Sequence, residues 1–292
     1  MNKINFSKIP FKPFFVEAFL FLITLGLGII TVLRMNQFLV IKKLTIPQIS
    51  FFQFILSFLF ATLFTLLIVR FAKFKAEKIL IFKILFILAV SLGGLLFLEV
   101  WLPEPLPLIF IFILIFLWFK KPSVLVQDLL IIFGIAGTGS ILGLGLNPSM
   151  VITLLLIFSI YDFVAVYKTK HMVKIAREMI ESRAILALVI PSNIFGFRDS
   201  LEKIEPGGKF LILGGGDVVF PLLLCSSLVS EGILISLIVA IFSLFGLFTG
   251  FYFFISQPPA GPGGGRQPIP ALPPIALFSI IGYLITRLFL YG

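Results

Sequence analysis

The sequence predicts an all-α integral membrane protein of nine transmembrane helices. Three observations carry that expectation. Of 292 residues, 60% are hydrophobic and only 12% are charged, where a soluble domain carries roughly 25% charged residues. Mean hydropathy is +1.18. The apolar residues also gather into runs that match a bilayer, whose hydrocarbon layer of about 30 Å takes about 20 helical residues at 1.5 Å each. For such a chain lipid is the solvent.

Nine runs qualify, at approximately 14–33, 50–69, 79–98, 105–119, 127–145, 149–167, 210–229, 232–255 and 270–290, making residues 1–292 a single polytopic membrane domain without an internal repeat. The fourth run is short. The tight connection at Asn147-Pro148 makes spans five and six a hairpin. The first run is long enough to cross a membrane, so no cleavable signal peptide is expected.

The net charge of +10 would suggest nucleic acid on a soluble protein. Here the basic residues lie between the apolar runs, so they set topology and no nucleic-acid partner is expected. Eighteen of the 23 lysines and arginines fall on the side of the N-terminus and only Arg34, Lys42 and Lys43 on the other, with Lys83 and Arg287 inside spans. The N-terminus is therefore expected in the cytoplasm and, after nine spans, the C-terminus outside the cell membrane. One cysteine, Cys225, allows no intramolecular disulfide, and one histidine, His171, leaves a usual zinc site short of its three or four ligands. No metal is expected.

Two connections stand out. The cytoplasmic 168–209 connection between spans six and seven begins as a basic amphipathic helix for the membrane surface, with Met172, Ile175, Ala176, Met179 and Ile180 on one face. Its apolar stretch AILALVIPSNIFGF either dips into the membrane or pairs with a substrate as a strand. The stretch SQPPAGPGGGRQPIPALPP is too rich in proline and glycine for a regular helix.

The chain has four aspartates. Asp199 is in a loop and Asp128 at the mouth of span five, whereas Asp162 and Asp217 lie within spans six and seven. A carboxylate at the bilayer centre costs about 2.5–3.5 kcal/mol, and by default it marks a functional site. Asp162 precedes Lys168 by six residues and Asp217 follows Lys209 by eight. At a helical rise these are depths of about 9 and 12 Å, so antiparallel neighbours bring the carboxylates to one level. Two carboxyl groups within hydrogen-bond reach share a proton: the ionised one can take a proton from water while the protonated one polarises a carbonyl oxygen, which is aspartyl peptide hydrolysis. Gly214, Gly215 and Gly216 weaken the helix before Asp217, by about 1 kcal/mol each relative to alanine, and permit close backbone approach. Irregular backbone at membrane depth must face protein or water, and hydrolysis needs that water.

Tyr161-Asp162 in span six, Gly214-Gly215-Gly216-Asp217 in span seven and Pro270-Ala271-Leu272 opening span nine resemble the YD, GxGD and PAL motifs of the presenilin and signal peptide peptidase family of GxGD intramembrane aspartyl proteases. The resemblance covers essentially the whole chain, and the short length is most similar to an archaeal presenilin homologue. It implies a presenilin-like fold and an intramembrane aspartic endopeptidase. Asp162 and Asp217 would be catalytic, with no cofactor beyond the catalytic water. Tyr161 would sit beside the first aspartate, and Gly214, Gly215 and Gly216 would shape the backbone around the second. Pro270, Ala271 and Leu272 would help to hold an unwound substrate. The implied partners are single transmembrane-helix substrates in the lipid bilayer. The expected orientation is the presenilin one, which favours substrates with an outside N-terminus. Presenilin needs partner subunits and is cut between spans six and seven. This connection is shorter, so neither is expected to be obligatory; a homo-oligomer is allowed.

The alternative is an ion or proton transporter or channel using the same buried aspartates. No matching glycine break occurs in the first half of the chain, which weighs against it. Other residues have plainer readings. Gly139 and Gly143 form a small-residue packing face. Tyr161 reads equally as a packing residue, and Pro270 as a helix-starting proline. Glu17, near the inner edge of span one, reads as reaching to the interface.

Overall fold

The computed structural model of the chain describes residues 11–43, 47–72, 74–204, 210–258 and 266–291. Whether the 256–269 connection is ordered is left open by the sequence, and its central part, 259–265, lies outside the described residues. Among the described residues ten α-helices and two short strands follow in the order α1 (Phe11–Lys42), α2 (Phe51–Phe71), α3 (Lys75–Trp101), α4 (Leu106–Lys120), α5 (Val124–Gly145), α6 (Pro148–Phe163), α7 (His171–Ser182), β1 (Ala187–Pro191), β2 (Phe210–Gly214), α8 (Gly215–Leu228), α9 (Ile233–Ser256) and α10 (Leu272–Tyr291). Seven of the described helices are long and apolar enough to cross a membrane, and α4 and α8 are shorter apolar helices.

The expected spans differ from the helices in two places. The first helix runs on to Lys42 rather than ending near 33, carrying Arg34 with it. Beyond the hydrocarbon layer water meets the polar side chains while the backbone hydrogen bonds simply continue. The expected seventh span, 210–229, starts as a strand: β2 pairs antiparallel with β1 in the register Ala187 to Gly214 through Pro191 to Phe210. A run such as Phe-Leu-Ile-Leu satisfies its backbone equally well in a ladder once a partner strand lies beside it. Within the apolar stretch left open between membrane and strand, Ala187–Pro191 is thus a strand, and it pairs within the chain. The helical depth of Asp217 therefore applies only from Gly215 onward.

Helix α5 is the axle of the bundle, packed against α1, α3, α4 and α8. Its glycines make this possible. A Cβ on Gly137 would run into the Gly93 carbonyl oxygen of α3, so those two backbones lie in direct contact. Gly139 faces Leu222 and Gly143 faces Ser226 of α8, which is the small-residue packing expected of them. The Ser140 hydroxyl donates to the Gly28 carbonyl of α1 at 2.9 Å and to its own Ala136 carbonyl. Close backbone approach and short interhelical hydrogen bonds hold helices together where lipid removes the hydrophobic drive. Helix α2, by contrast, is exposed along nearly its whole length and touches the rest chiefly through α3 and the Phe58–Phe158 ring contact.

Candidate active site

Asp162 lies near the end of α6, where the backbone widens into a π turn over Val164–Lys168, closed by the Thr169 N–H on the Val164 carbonyl at 3.0 Å. Such widened turns recur at functional sites. Asp162 is buried, 9% exposed, and its Oδ2 accepts from the Leu272 N–H at 3.3 Å. That donor has a sequence cause. Leu272 is the first residue of α10, where the opening N–H groups lack helical partners. Pro273 and Pro274 have no N–H to offer, so Leu272 supplies the donor. Gly246 of α9 lets this end of α10 close in, because a Cβ there would stand 2.5 Å from both Ile275 Cα and the Pro274 oxygen.

Asp217 is the third residue of α8. The backbone of Gly214, the N-cap, lies against the Asp217 carboxylate. Asp217 thus holds the third helical position, from which a carboxylate meets the free N–H groups of a helix start. The carboxylate also sits at the positive end of the helix. Two of the three glycines are crowded. A Cβ on Gly214 would lie 2.9 Å from Asp217 Oδ2, and one on Gly215 would lie 3.0 Å from the Leu186 oxygen that accepts its N–H. Gly216 is exposed, with only the Phe220 ring within 4 Å of such a Cβ. Pro221 cannot donate to the Asp217 carbonyl four residues back.

Helices α6 and α8 pack together, and the Asp162 and Asp217 carboxylates lie within reach of each other's charge. The structure thus brings Asp162, Asp217, Gly214, Gly215 and Leu272 to one place, with Pro270 and Ala271 just ahead of α10, outside any helix. Tyr161 stands apart: it is 51% exposed, and among the described residues its hydroxyl makes no hydrogen bond. With Val164, Ala165 and Thr169 it lines a hollow of about 400 Å³ beside Asp162.

Glu17 departs from its expected place at the interface. It is 8% exposed, its Oε2 has no partner among the described residues, and it lies within charge reach of Asp217. It continues the stripe of Phe21 and Leu25 at four-residue steps, and that face of α1 packs into the bundle. The stripe is the sequence signal that would have placed it inside. Among the described residues no group of three or more metal-ligating side chains comes together.

A helical membrane bundle with two facing aspartates, each gripped by the backbone of a glycine- or proline-rich segment, has the makings of an intramembrane aspartyl protease. Residues 20–291 match the family model described as signal-peptide peptidase, presenilin aspartyl protease, and the chain belongs to that family. It is thereby a hydrolase of the presenilin type, acting on transmembrane substrates within the bilayer. Solved structures share the fold, among them two of a presenilin family intramembrane aspartate protease. The one in space group C222 is 23% identical with a TM-score of 0.58, over 94% of this chain and 96% of that one. The one in space group P2 is 23% identical with a TM-score of 0.59, over 93% and 96%. No curated protein matches the chain.

Proposed function

We propose that Asp162 and Asp217 are the catalytic pair of an endopeptidase that cuts single transmembrane helices. The observation that carries this reading is that the two carboxylates lie on neighbouring helices within reach of each other's charge, Asp162 accepting the Leu272 N–H and Asp217 lying against the Gly214 backbone. A carboxylate offers about four lone-pair sites, so each keeps free ones for a water or a substrate. The ionised aspartate removes a proton from a water whose oxygen attacks the scissile carbonyl carbon. The protonated aspartate donates to the carbonyl oxygen. The C–N bond then breaks as the leaving nitrogen takes up a proton. No metal or organic cofactor enters these steps.

A helical amide is shielded by its own hydrogen bonds, so the substrate has to unwind. Among the described residues the outer edge of β2 is unpaired, and Ile212 on it is exposed. An unwound segment gains backbone partners there, and Pro270, Ala271 and Leu272 flank it from the other side. The charge asymmetry of the connections favours a cytoplasmic N-terminus and an outside C-terminus. The protease works without obligatory partner subunits.

The test is cleavage of a single-span substrate by the purified chain in liposomes, with Asp162→Asn and Asp217→Asn alongside and the fold of each checked. Wild-type products and silence from both variants are expected, a loss of at least about 10⁴-fold as for other residues that act as a catalytic unit. Cleavage surviving both substitutions would overturn the mechanism.

A further inference from the structure

Residues just inside α5 grip β1 from the side away from β2. In a strand, the backbone groups of alternate residues point to opposite edges. Leu186, an even-numbered residue, gives its carbonyl to the Gly215 N–H at 3.1 Å, on the β2 side. The odd-numbered neighbours point the other way, to α5. The Val189 N–H donates to Asp128 Oδ1 at 2.8 Å, and the Ile185 carbonyl accepts from Gln127 Nε2. Gln127 is in turn fixed by the Trp118 Nε1–H of α4, which donates to its Oε1 at 2.8 Å. Both side chains are buried, Gln127 fully and Asp128 to 2% exposure. The turn beyond β1 is tied to the same helix start, through Val124 N–H to the Asp199 carbonyl at 3.1 Å and Leu201 N–H to the Pro122 carbonyl at 3.0 Å.

The chain of contacts is unbroken. Asp128 and Gln127 hold β1, β1 holds β2 and Gly215, and Gly215 opens the helix turn that carries Asp217. The far edge of β1 is also closed, so a further strand can join only at β2. Polar groups buried this deep in an apolar bundle cost stability unless fully bonded, and the Oδ2 of Asp128 has no partner among the described residues. A packing role would be served better by an apolar pair.

We infer that Gln127 and Asp128 are positioning residues for the proteolysis proposed above: they set the level of the β1–β2 ribbon against Asp217 and so select which peptide bond is cut. The inference rests on the catalytic pair and on substrate docking at β2. A merely structural role would lower the yield of folded protein and leave the cut in place. A positioning role moves the cut.

The test compares the full chain with Asp128→Ala, Asp128→Asn and Gln127→Leu in liposomes, reading product masses, kcat and KM on one single-span substrate. Asp128→Asn keeps an oxygen for the Val189 N–H. Asp128→Ala and Gln127→Leu are expected to spread cleavage onto neighbouring bonds and to lower kcat by roughly 10- to 100-fold, the scale of misplaced reacting groups, with KM changing less. Asp128→Asn is expected to restore the wild-type products. Amide hydrogen exchange gives a readout that needs no turnover: in Asp128→Ala, exchange should rise both in β1 and at Gly215–Asp217. Where Asp128→Ala fails to fold, Gln127→Leu carries both readouts. Unshifted products from folded Asp128→Ala and Gln127→Leu, or exchange that rises in β1 alone, would overturn the inference. Asp162→Asn would still be silent in that case. Turnover by Asp162→Asn would instead break the catalytic reading beneath it.

Discussion

Helices α2 and α5 are nearly the same length, 21 and 22 residues, yet they live in different surroundings. The more apolar one is outside: over its best window α2 has a mean hydropathy of 2.3 and none of that window is buried, while α5 has 1.8 and is 72% buried. In water the order would be reversed. In lipid, burying a leucine gains little, because the acyl chains are as apolar as a protein interior. A helix enters the bundle through a small residue that lets backbones touch, or a polar one that bonds across. Helix α5 carries Gly134, Gly137, Gly139, Gly143, Ser140, Gln127 and Asp128, while α2 has no glycine at all.

The contrast between these helices is most vulnerable at Gly137. Gly137→Leu forces a side chain into the Gly93 backbone and should destabilise the protein by about 3 kcal/mol, read as a lowered thermal midpoint in detergent. A tolerated leucine there would refute direct contact between the α3 and α5 backbones. A smaller effect of opposite sign tests the role of polar bonding. Among the described residues Glu17 bonds to nothing across the bundle, so it is not an adhesive. Glu17→Leu should raise stability by about 2 kcal/mol, the scale of an unsatisfied buried group. A loss of stability would mean that its carboxyl has a partner after all. Smallest of all, Leu59→Ala on α2, 57% exposed, should change stability by less than about 0.5 kcal/mol; a larger fall would place α2 inside the packed core.

The sequence shows the site more fully than the fold around it. Asp162, Asp217 and the glycine and proline segments beside them are legible because a carboxylate within an apolar run is costly in lipid and seldom kept without a use. Their helices are legible because bilayer thickness sets a length. The strand β2 is not, since Leu211, Ile212 and Leu213 suit a buried helix and a buried strand equally, and only β1, some 20 residues earlier in the chain, decides between them. The π turn after Asp162 leaves no mark in composition. Gln127 and Asp128 look like residues at the mouth of a span because Ser123, which caps the helix through the Val126 N–H, sits so close before them. That they face inward is a matter of rotation about the helix axis, set by Trp118 and by β1. Glu17 is the instructive miss. Its place on the stripe with Phe21 and Leu25 is visible in the sequence, but its depth near the helix start invites the opposite reading.

Helix α4 spans 15 residues, about 22 Å at 1.5 Å per residue, against a hydrocarbon layer of about 30 Å. Most of its outer face, from Leu108 to Phe119, is exposed rather than packed against protein. A helix too short for its bilayer cannot tilt its way out of the mismatch; the bilayer thins, flanking residues snorkel or the protein associates. The same helix holds Trp118, whose ring nitrogen is bonded to Gln127. A thicker or thinner bilayer thereby bears on α4, and through Trp118 and Gln127 on the chain leading into β1.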